Sequence, residues 1–342
     1  MNQLKTEPRL NLMHLAWPMF IEEITGGITA FADILFISMI SDEAAASVGM
    51  LGPVLMLGYF ILPQFTSAGT SVAAQYMGAK RDDRVVPTWF ANIVISSGAG
   101  LVLACALFLL SGKIGLWLGM TPVQNGFASE YLAVIAFNFV VVGLRNAYCS
   151  ILASKTLTRW NMVASVTTNL INVPLNWALM TGFWVFPELG IRGVALATVI
   201  SFLVGFAIVF AMVHLRLKVS FLVDGLAKRA REVVAPIVKI GIPAALEPFS
   251  YTVQSFAVSY LIIKLGAVAM GANTYVNRFN FLDMAASWSL TMAGQILMSH
   301  HLGAGRIEEV KKAYWRIAAI ITSFAFAVYL VVVAFQGFFL SL

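Results

Sequence analysis

Five carboxylates stand inside stretches of chain that are otherwise apolar: Glu22, Glu23 and Asp33 in the first stretch, Glu247 in the seventh and Asp283 in the eighth. A charged side chain held among lipid tails costs roughly 3 kcal/mol or more, so each of these asks for a reason. At 3.6 residues per turn, Glu22, Gly26, Thr29 and Asp33 fall on one helical stripe. Such a stripe must face a neighbouring helix or a wet cavity. A carboxylate there can exchange a proton or a metal cation, or it can be a packing feature satisfied by nearby donors. Ser165, Asn169, Asn172 and Asn176 repeat the pattern without charge. Amide oxygens suit sodium, and amides also hold membrane helices together. Pro174 lies between Asn172 and Asn176 and frees one backbone carbonyl, and Thr198 can add a hydroxyl. In the seventh stretch Glu247, Tyr251 and Gln254 continue to Val258, so this stripe is polar without an acid at its far end.

The elements that must carry these residues are membrane helices. Sixty per cent of the 342 residues are hydrophobic and 11% are charged, against about 25% charged in soluble domains. A bilayer core of ~30 Å takes about 20 helical residues. Nine runs qualify: Leu12–Ser38, Val48–Val72, Trp89–Leu110, Tyr131–Ile151, Val163–Phe183, Gly193–Val213, Ile237–Ile262, Gly271–Met298 and Tyr314–Val333. Alternate connecting segments, starting from the N-terminus, hold nearly all the loop Lys and Arg. The others hold only Lys113, Arg192 and Lys264. That bias predicts a cytoplasmic N-terminus in a cell inner (plasma) membrane. The net charge of +6 therefore reports orientation, and no nucleic-acid partner is expected. Cys105 and Cys149 lack metal-ligand spacing, and His300 and His301, at the end of the eighth run, read as interfacial, so no metal site is expected. Arg145 falls near the end of the fourth run, where a long basic side chain can snorkel to the headgroups.

The chain repeats itself. A shift of 225 residues lays Pro18 on Pro243, Glu22 on Glu247, Phe31-Ala32 on Phe256-Ala257, Ala68-Gly69 on Ala293-Gly294, Gly78-Ala79 on Gly303-Ala304 and Arg81 on Arg306. Both copies start on the same side of the membrane, which makes the repeat parallel, a design found in transporters. The sequence divides into an N-lobe (1–215, six helices), a basic linker (216–234) and a C-lobe of three helices (235–342). The unequal copies predict three further helices beyond Leu342. Glu22 and Glu247, shared by both copies, read as lining a central cleft. Asp33 overlays valine in the second copy and reads as serving one lobe only.

Leu15-Ala-Trp-Pro18 with Asp33 beyond it, Gln75-Tyr-Met-Gly78-Ala79-Lys-Arg81, Asn172-Val-Pro-Leu-Asn176-Trp, Leu189-Gly-Ile-Arg-Gly193-Val-Ala-Leu-Ala-Thr198, Gly241-Ile-Pro243 and His301-Leu-Gly303-Ala304-Gly305 together resemble the multidrug and toxic compound extrusion (MATE) family. The resemblance implies an all-α polytopic membrane protein of two pseudo-symmetric lobes. It also implies an antiporter that exports organic, cationic or amphipathic compounds by alternating access in exchange for H+ or Na+. Asp33, Asn172, Asn176 and Thr198 match the family's cation site in the N-lobe, although some members carry an acid where Asn176 stands. Glu22, Glu247, Tyr251, Gln254 and Asp283 are the candidates for the cleft. The expected partners are a small organic substrate and the lipid bilayer, the expected state is a monomer, and no cofactor is expected beyond the coupling ion.

Three rivals differ in what they require. A lipid-linked oligosaccharide flippase of the same superfamily needs cationic residues in its cleft for pyrophosphate. Arg278 is the one basic residue that the runs place deep in a helix. A membrane enzyme needs a nucleophile with a base, a metal-binding helix motif or a phosphate loop, and the sequence contains none of these motifs. The third rival is a non-transporting remnant of a longer gene.

Overall fold

In a computed structural model, residues 11–222, 224–264 and 267–334 are described. The side chains of residues 256, 259, 263, 267–282 and 332 are not, so the expectation for Arg278 lies outside the described residues. Ten α-helices follow in chain order: α1 (Leu12–Ser38), α2 (Asp42–Gly78), α3 (Asp82–Trp117), α4 (Pro122–Ile135), α5 (Asn138–Ser154), α6 (Thr158–Thr181), α7 (Gly190–Ala211), α8 (Leu226–Lys264), α9 (Ala267–Gly303) and α10 (Ile307–Ala334). No strand occurs among the described residues. α4 and α5 form one path across the fold, broken at Ala136–Phe137, so the ten helices follow nine paths that correspond to the nine expected runs. Among the described residues, six stretches are long and apolar enough to cross a membrane on those grounds alone. This is an all-α polytopic membrane fold.

Local chemistry sets the helix ends. α1 occupies the expected Leu12–Ser38, started by the Asn11 side chain accepting from the Met13 N–H. α2 starts earlier than its apolar run because Ser41 caps it and Asp42 and Glu43 fill the first turn. The fourth crossing starts at Pro122, nine residues before the apolar run expected there. Thr121 and Gln124 form a reciprocal capping box and Pro122 opens the helix. α8 starts at Leu226, inside the segment read as linker. Its charged first turns bury Ala230, Val233 and Ile237 against Ala68, Val72 and Ala91 of α2 and α3. α7 runs on into a π turn, Met212–Arg216, where His214 Nδ1 lies 2.9 Å from the Val219 carbonyl.

The largest apolar core lies within α1–α7, around Leu51, Leu132, Ile135 and Phe139. The lobes meet at the end of the bundle that carries the basic loops. There Leu12, Leu15 and Ala16 of α1 pack on Leu290, Ala293, Ile296 and Leu297 of α9. Beside them α2 and α9 run so close that a β-carbon at Gly78 would be driven into the His300 carbonyl oxygen. One at Gly303 would be driven into that of Gln75. The 225-residue shift overlays Gln75 on His300 as well as Gly78 on Gly303, so the contact is reciprocal, as a two-fold requires. His300 is buried rather than interfacial, with Nε2 2.9 Å from the Ser154 carbonyl. The lobe contact encloses it, which corrects the sequence reading. Further from this end Ile28 and Phe31 of α1 and Tyr251 and Val253 of α8 are exposed.

Candidate functional site

Two polar sites lie off the apolar core. The first is inside the N-lobe. α6 and α7 approach closely because Gly193 leaves room for the Leu179 carbonyl, where a β-carbon would collide. That approach brings Thr198 of α7 to Asn172 of α6. Asn172 Nδ2 donates to Thr198 Oγ1 at 3.4 Å, and Asn176 Nδ2 donates to Asn172 Oδ1 at 3.0 Å. Asn176 Nδ2 also donates to Asp33 Oδ1, and Thr198 Oγ1 donates to Asp33 Oδ2 at 3.5 Å. The four residues named from the sequence thus form one connected set across α1, α6 and α7. Asn172, Asn176 and Thr198 are buried. Asn176 Oδ1 is buried without a hydrogen-bond partner among the described residues. A buried acceptor left open beside a carboxylate fits a small hard cation better than it fits a finished packing contact. Asn169 of the same ladder stays apart, its Nδ2 buried and unpartnered among the described residues.

The second site is a cavity of about 470 Å³ between the lobes. Glu22, Glu23 and Met19 of α1 line it with Tyr59, Phe60, Ser67 and Thr70 of α2, Cys149 and Ser150 of α5, and Asn161 of α6. Glu247 and Tyr251 of α8 and Met284, Trp288 and Gln295 of α9 complete the wall. Glu22 and Glu247, paired by the repeat, therefore face one space from opposite lobes. Tyr251 lines it too. Gln254 is exposed and off the wall, and Asp283 is half-buried outside it, with Oδ1 unpartnered among the described residues. Gln295 closes the cavity at the lobe contact: it accepts from Ser67 Oγ and donates to Ser71 Oγ, each at 2.8 Å. Tyr59 lines the cavity, and its hydroxyl accepts from Asn138 Nδ2 at 3.0 Å.

Arg145 is not at the headgroups. It is 6% exposed, its Nη2 lies 3.4 Å from Glu22 Oε1, and its guanidinium lies 5.4 Å from the centre of the Phe202 ring. The sequence reading failed because the crossing extends to Ser154, leaving Arg145 more than two turns from its end. Arg278 is therefore not alone as a basic residue deep in a helix, and that part of the case against a flippase does not stand. What stands is that no Lys, Arg or His lines the cavity among the described residues. The rule that an intramembrane charge has a partner, applied to the acids, applies equally to Arg145 and could have found it. Asn161, Cys149 and Gln295 carried no comparable signal. No group of three or more His, Cys, Asp or Glu gathers as a metal site among the described residues.

The MatE family model matches residues 18–178 and 243–342. The chain belongs to the MatE family. The two MatE matches begin at Pro18 and Pro243, the prolines that the internal repeat overlays. The family is one of transporters rather than enzymes. Among its relatives are the uncharacterized transporter YisQ of Bacillus subtilis, 25% identical over 313 residues, covering 90% of this chain and 69% of the relative. Another is the multidrug resistance protein NorM of Photobacterium profundum, 28% identical over 313 residues, covering 89% and 66%. The chain spans about two thirds of the length of these curated relatives. Solved MatE-fold structures share the architecture at 20% identity. An outward-facing multidrug resistance MATE family transporter of the MOP superfamily superposes with a TM-score of 0.85, over 97% of this chain and 72% of that one. A MOP superfamily transporter from Pyrococcus furiosus, described by the reverse polarity of its binding pocket, does so with a TM-score of 0.86 over the same shares.

Proposed function

We propose that this MatE chain belongs to an antiporter that exports organic cations by alternating access, with H+ or Na+ exchanged at Asp33, Asn172, Asn176 and Thr198. The observation that carries the reading is the cavity wall. It holds Glu23 and Glu247, with Glu22 beside them paired to Arg145, no basic side chain among the described residues, and a lining of Tyr59, Phe60, Tyr251, Trp288 and three methionines. Carboxylates in a low-dielectric cleft attract cations. Aromatic faces add cation–π attraction, and methionine adapts to varied shapes. A pyrophosphate-bearing lipid would meet repulsion from this wall, which disfavours the flippase. The basic loops mark the cytoplasmic side of an inner membrane, so the lobe contact at Gly78 and Gly303 closes the cytoplasmic mouth. The chain acts as a monomer, since its cavity and cation site are both built from one copy. The test is purified protein in proteoliposomes loaded with a fluorescent organic cation. Imposing an inward H+ or Na+ gradient is expected to drive its export, and indifference to both gradients would overturn the reading.

A further inference from the structure

Three carboxylates reach the cavity, but one of them is already occupied. Arg145 sits behind the wall on α5, enclosed by α1, α6 and α7. Its Nη2 lies 3.4 Å from Glu22 Oε1, the two side chains are 8% and 27% exposed, and Phe202 covers the guanidinium face. Gly205 of α7 leaves room beside it: a β-carbon there would collide with Thr168 Oγ1 and lie 3.2 Å from Arg145 Nε. A guanidinium so confined cannot swing to solvent, and removing its carboxylate would leave a buried uncompensated charge. Glu23 and Glu247 have no such counter-ion: neither forms an ion pair among the described residues. Glu23 belongs to α1 of the N-lobe and Glu247 to α8 of the C-lobe. Asn161 lines the same wall. Asn161 is 5% exposed; its Nδ2 donates to the Cys149 carbonyl at 3.0 Å, and its Oδ1 has no partner among the described residues.

We infer that Arg145 is a resident counter-cation that withholds Glu22 from the substrate. Among the described residues the cavity then offers two carboxylates, Glu23 and Glu247, one from each lobe, and selects organic dications. The inference rests on the organic-cation reading above and narrows it. A dication places one charge against each lobe, whereas a monocation satisfies one carboxylate and leaves the other uncompensated. At an effective dielectric of about 20 a second carboxylate contact in such a cleft corresponds to tenfold or more in affinity. Arg145 is thus a positioning residue, acting on the substrate only through the charge it cancels.

The experiment is binding of benzamidine and of an alkyl-linked bis-benzamidine to the purified full chain in nanodiscs at fixed ionic strength, with thermal unfolding of every variant. The wild type is expected to bind the bis-amidine at least tenfold tighter than the mono-amidine. E23Q and E247Q should each reduce that preference to threefold or less. E22Q and R145M should each lower the melting temperature. The neutral pairs E22Q/R145M and E22Q/R145Q should recover it and keep the dication preference, because a neutral pair replaces an ion pair with little loss. A tenfold or greater loss of bis-amidine affinity in a folded neutral pair would overturn the assignment, since Glu22 would then be a substrate carboxylate. Failure of both neutral pairs to fold while E23Q and E247Q fold would also overturn it. Equal binding of mono- and bis-amidine would sink the dication selectivity but leave organic-cation export standing. Absence of binding by either compound and by tetraphenylphosphonium would overturn export and selectivity together.

Discussion

Adding one methyl group at Gly78 or Gly303 should open the mouth of the cavity at the basic-loop end. The β-carbon of Gly78→Ala would enter the His300 carbonyl oxygen, and that of Gly303→Ala the Gln75 carbonyl oxygen. Both obstacles are main-chain atoms of long helices, so neither can rotate away as a side-chain tip could. Overpacking of this kind costs about 1–3 kcal/mol. It acts only where α2 and α9 touch, so it penalises the closed arrangement and spares one in which they have separated. The equilibrium between the two should therefore move roughly 5- to 150-fold toward the open one. Cys149 is a built-in reporter, because it lines the cavity, while Cys105 lies exposed on α3 and is removed as Cys105→Ser. The assay is the rate at which a membrane-impermeant maleimide labels Cys149 in inverted vesicles, where the basic loops are expected to face the bath. Each alanine variant should raise the rate at least fivefold, and the double variant should raise it further. Unchanged labelling in variants of normal thermal stability would refute the claim that this contact is the closure.

Other consequences are local. Trp89→Phe removes the indole N–H that donates to Ser154 Oγ at 3.0 Å, leaving a buried hydroxyl with one partner fewer. About 1 kcal/mol of stability should be lost in a denaturation series. Gln295→Leu removes both α2–α9 hydrogen bonds and strands Ser67 and Ser71. It should lower stability by about 1–3 kcal/mol and raise Cys149 labelling in the same vesicles. Thr198→Val keeps the shape but deletes the hydroxyl whose one proton is shared between Asp33 Oδ2 at 3.5 Å and the Val194 carbonyl at 3.2 Å. Folding should be normal, and the concentration of coupling ion giving half-maximal efflux should shift about tenfold, read from ion titrations in proteoliposomes.

Much of the fold and of the N-lobe site is legible in the amino-acid sequence. α1 can be bounded to the residue because an apolar run is framed by a capping asparagine and a polar exit, Asn11 and Ser38. The N-lobe set is legible because i, i+4 spacing on α6 forces Asn172 and Asn176 onto one face, and the motif leading into α7 carries Thr198. The first turns of α8 escape a compositional reading because Lys228, Arg229, Arg231 and Glu232 resemble a loop, while Ala230, Val233 and Ile237 between them follow the helical period. That Arg145 needs a partner is legible from its place in an apolar run, but which partner is not. Its partner Glu22 lies 123 residues away, and local pattern cannot report a contact made only by packing. The burial of His300 is hidden in the same way: the repeat names the residues that correspond, but not that α2 and α9 touch at those positions.

In the antiport proposed above, coupling rests on Asp33. Its carboxylate accepts from Asn176 and Thr198, and a neutral Asn at that position retains the shape but cannot gain or lose charge. The deciding measurement is efflux per folded molecule of Asp33→Asn in proteoliposomes under imposed H+ or Na+ gradients, beside wild type. A coupling role for Asp33 predicts normal insertion and thermal stability with gradient-driven efflux lost. Undiminished gradient-driven efflux, or a loss that merely tracks the amount of folded protein, would contradict it.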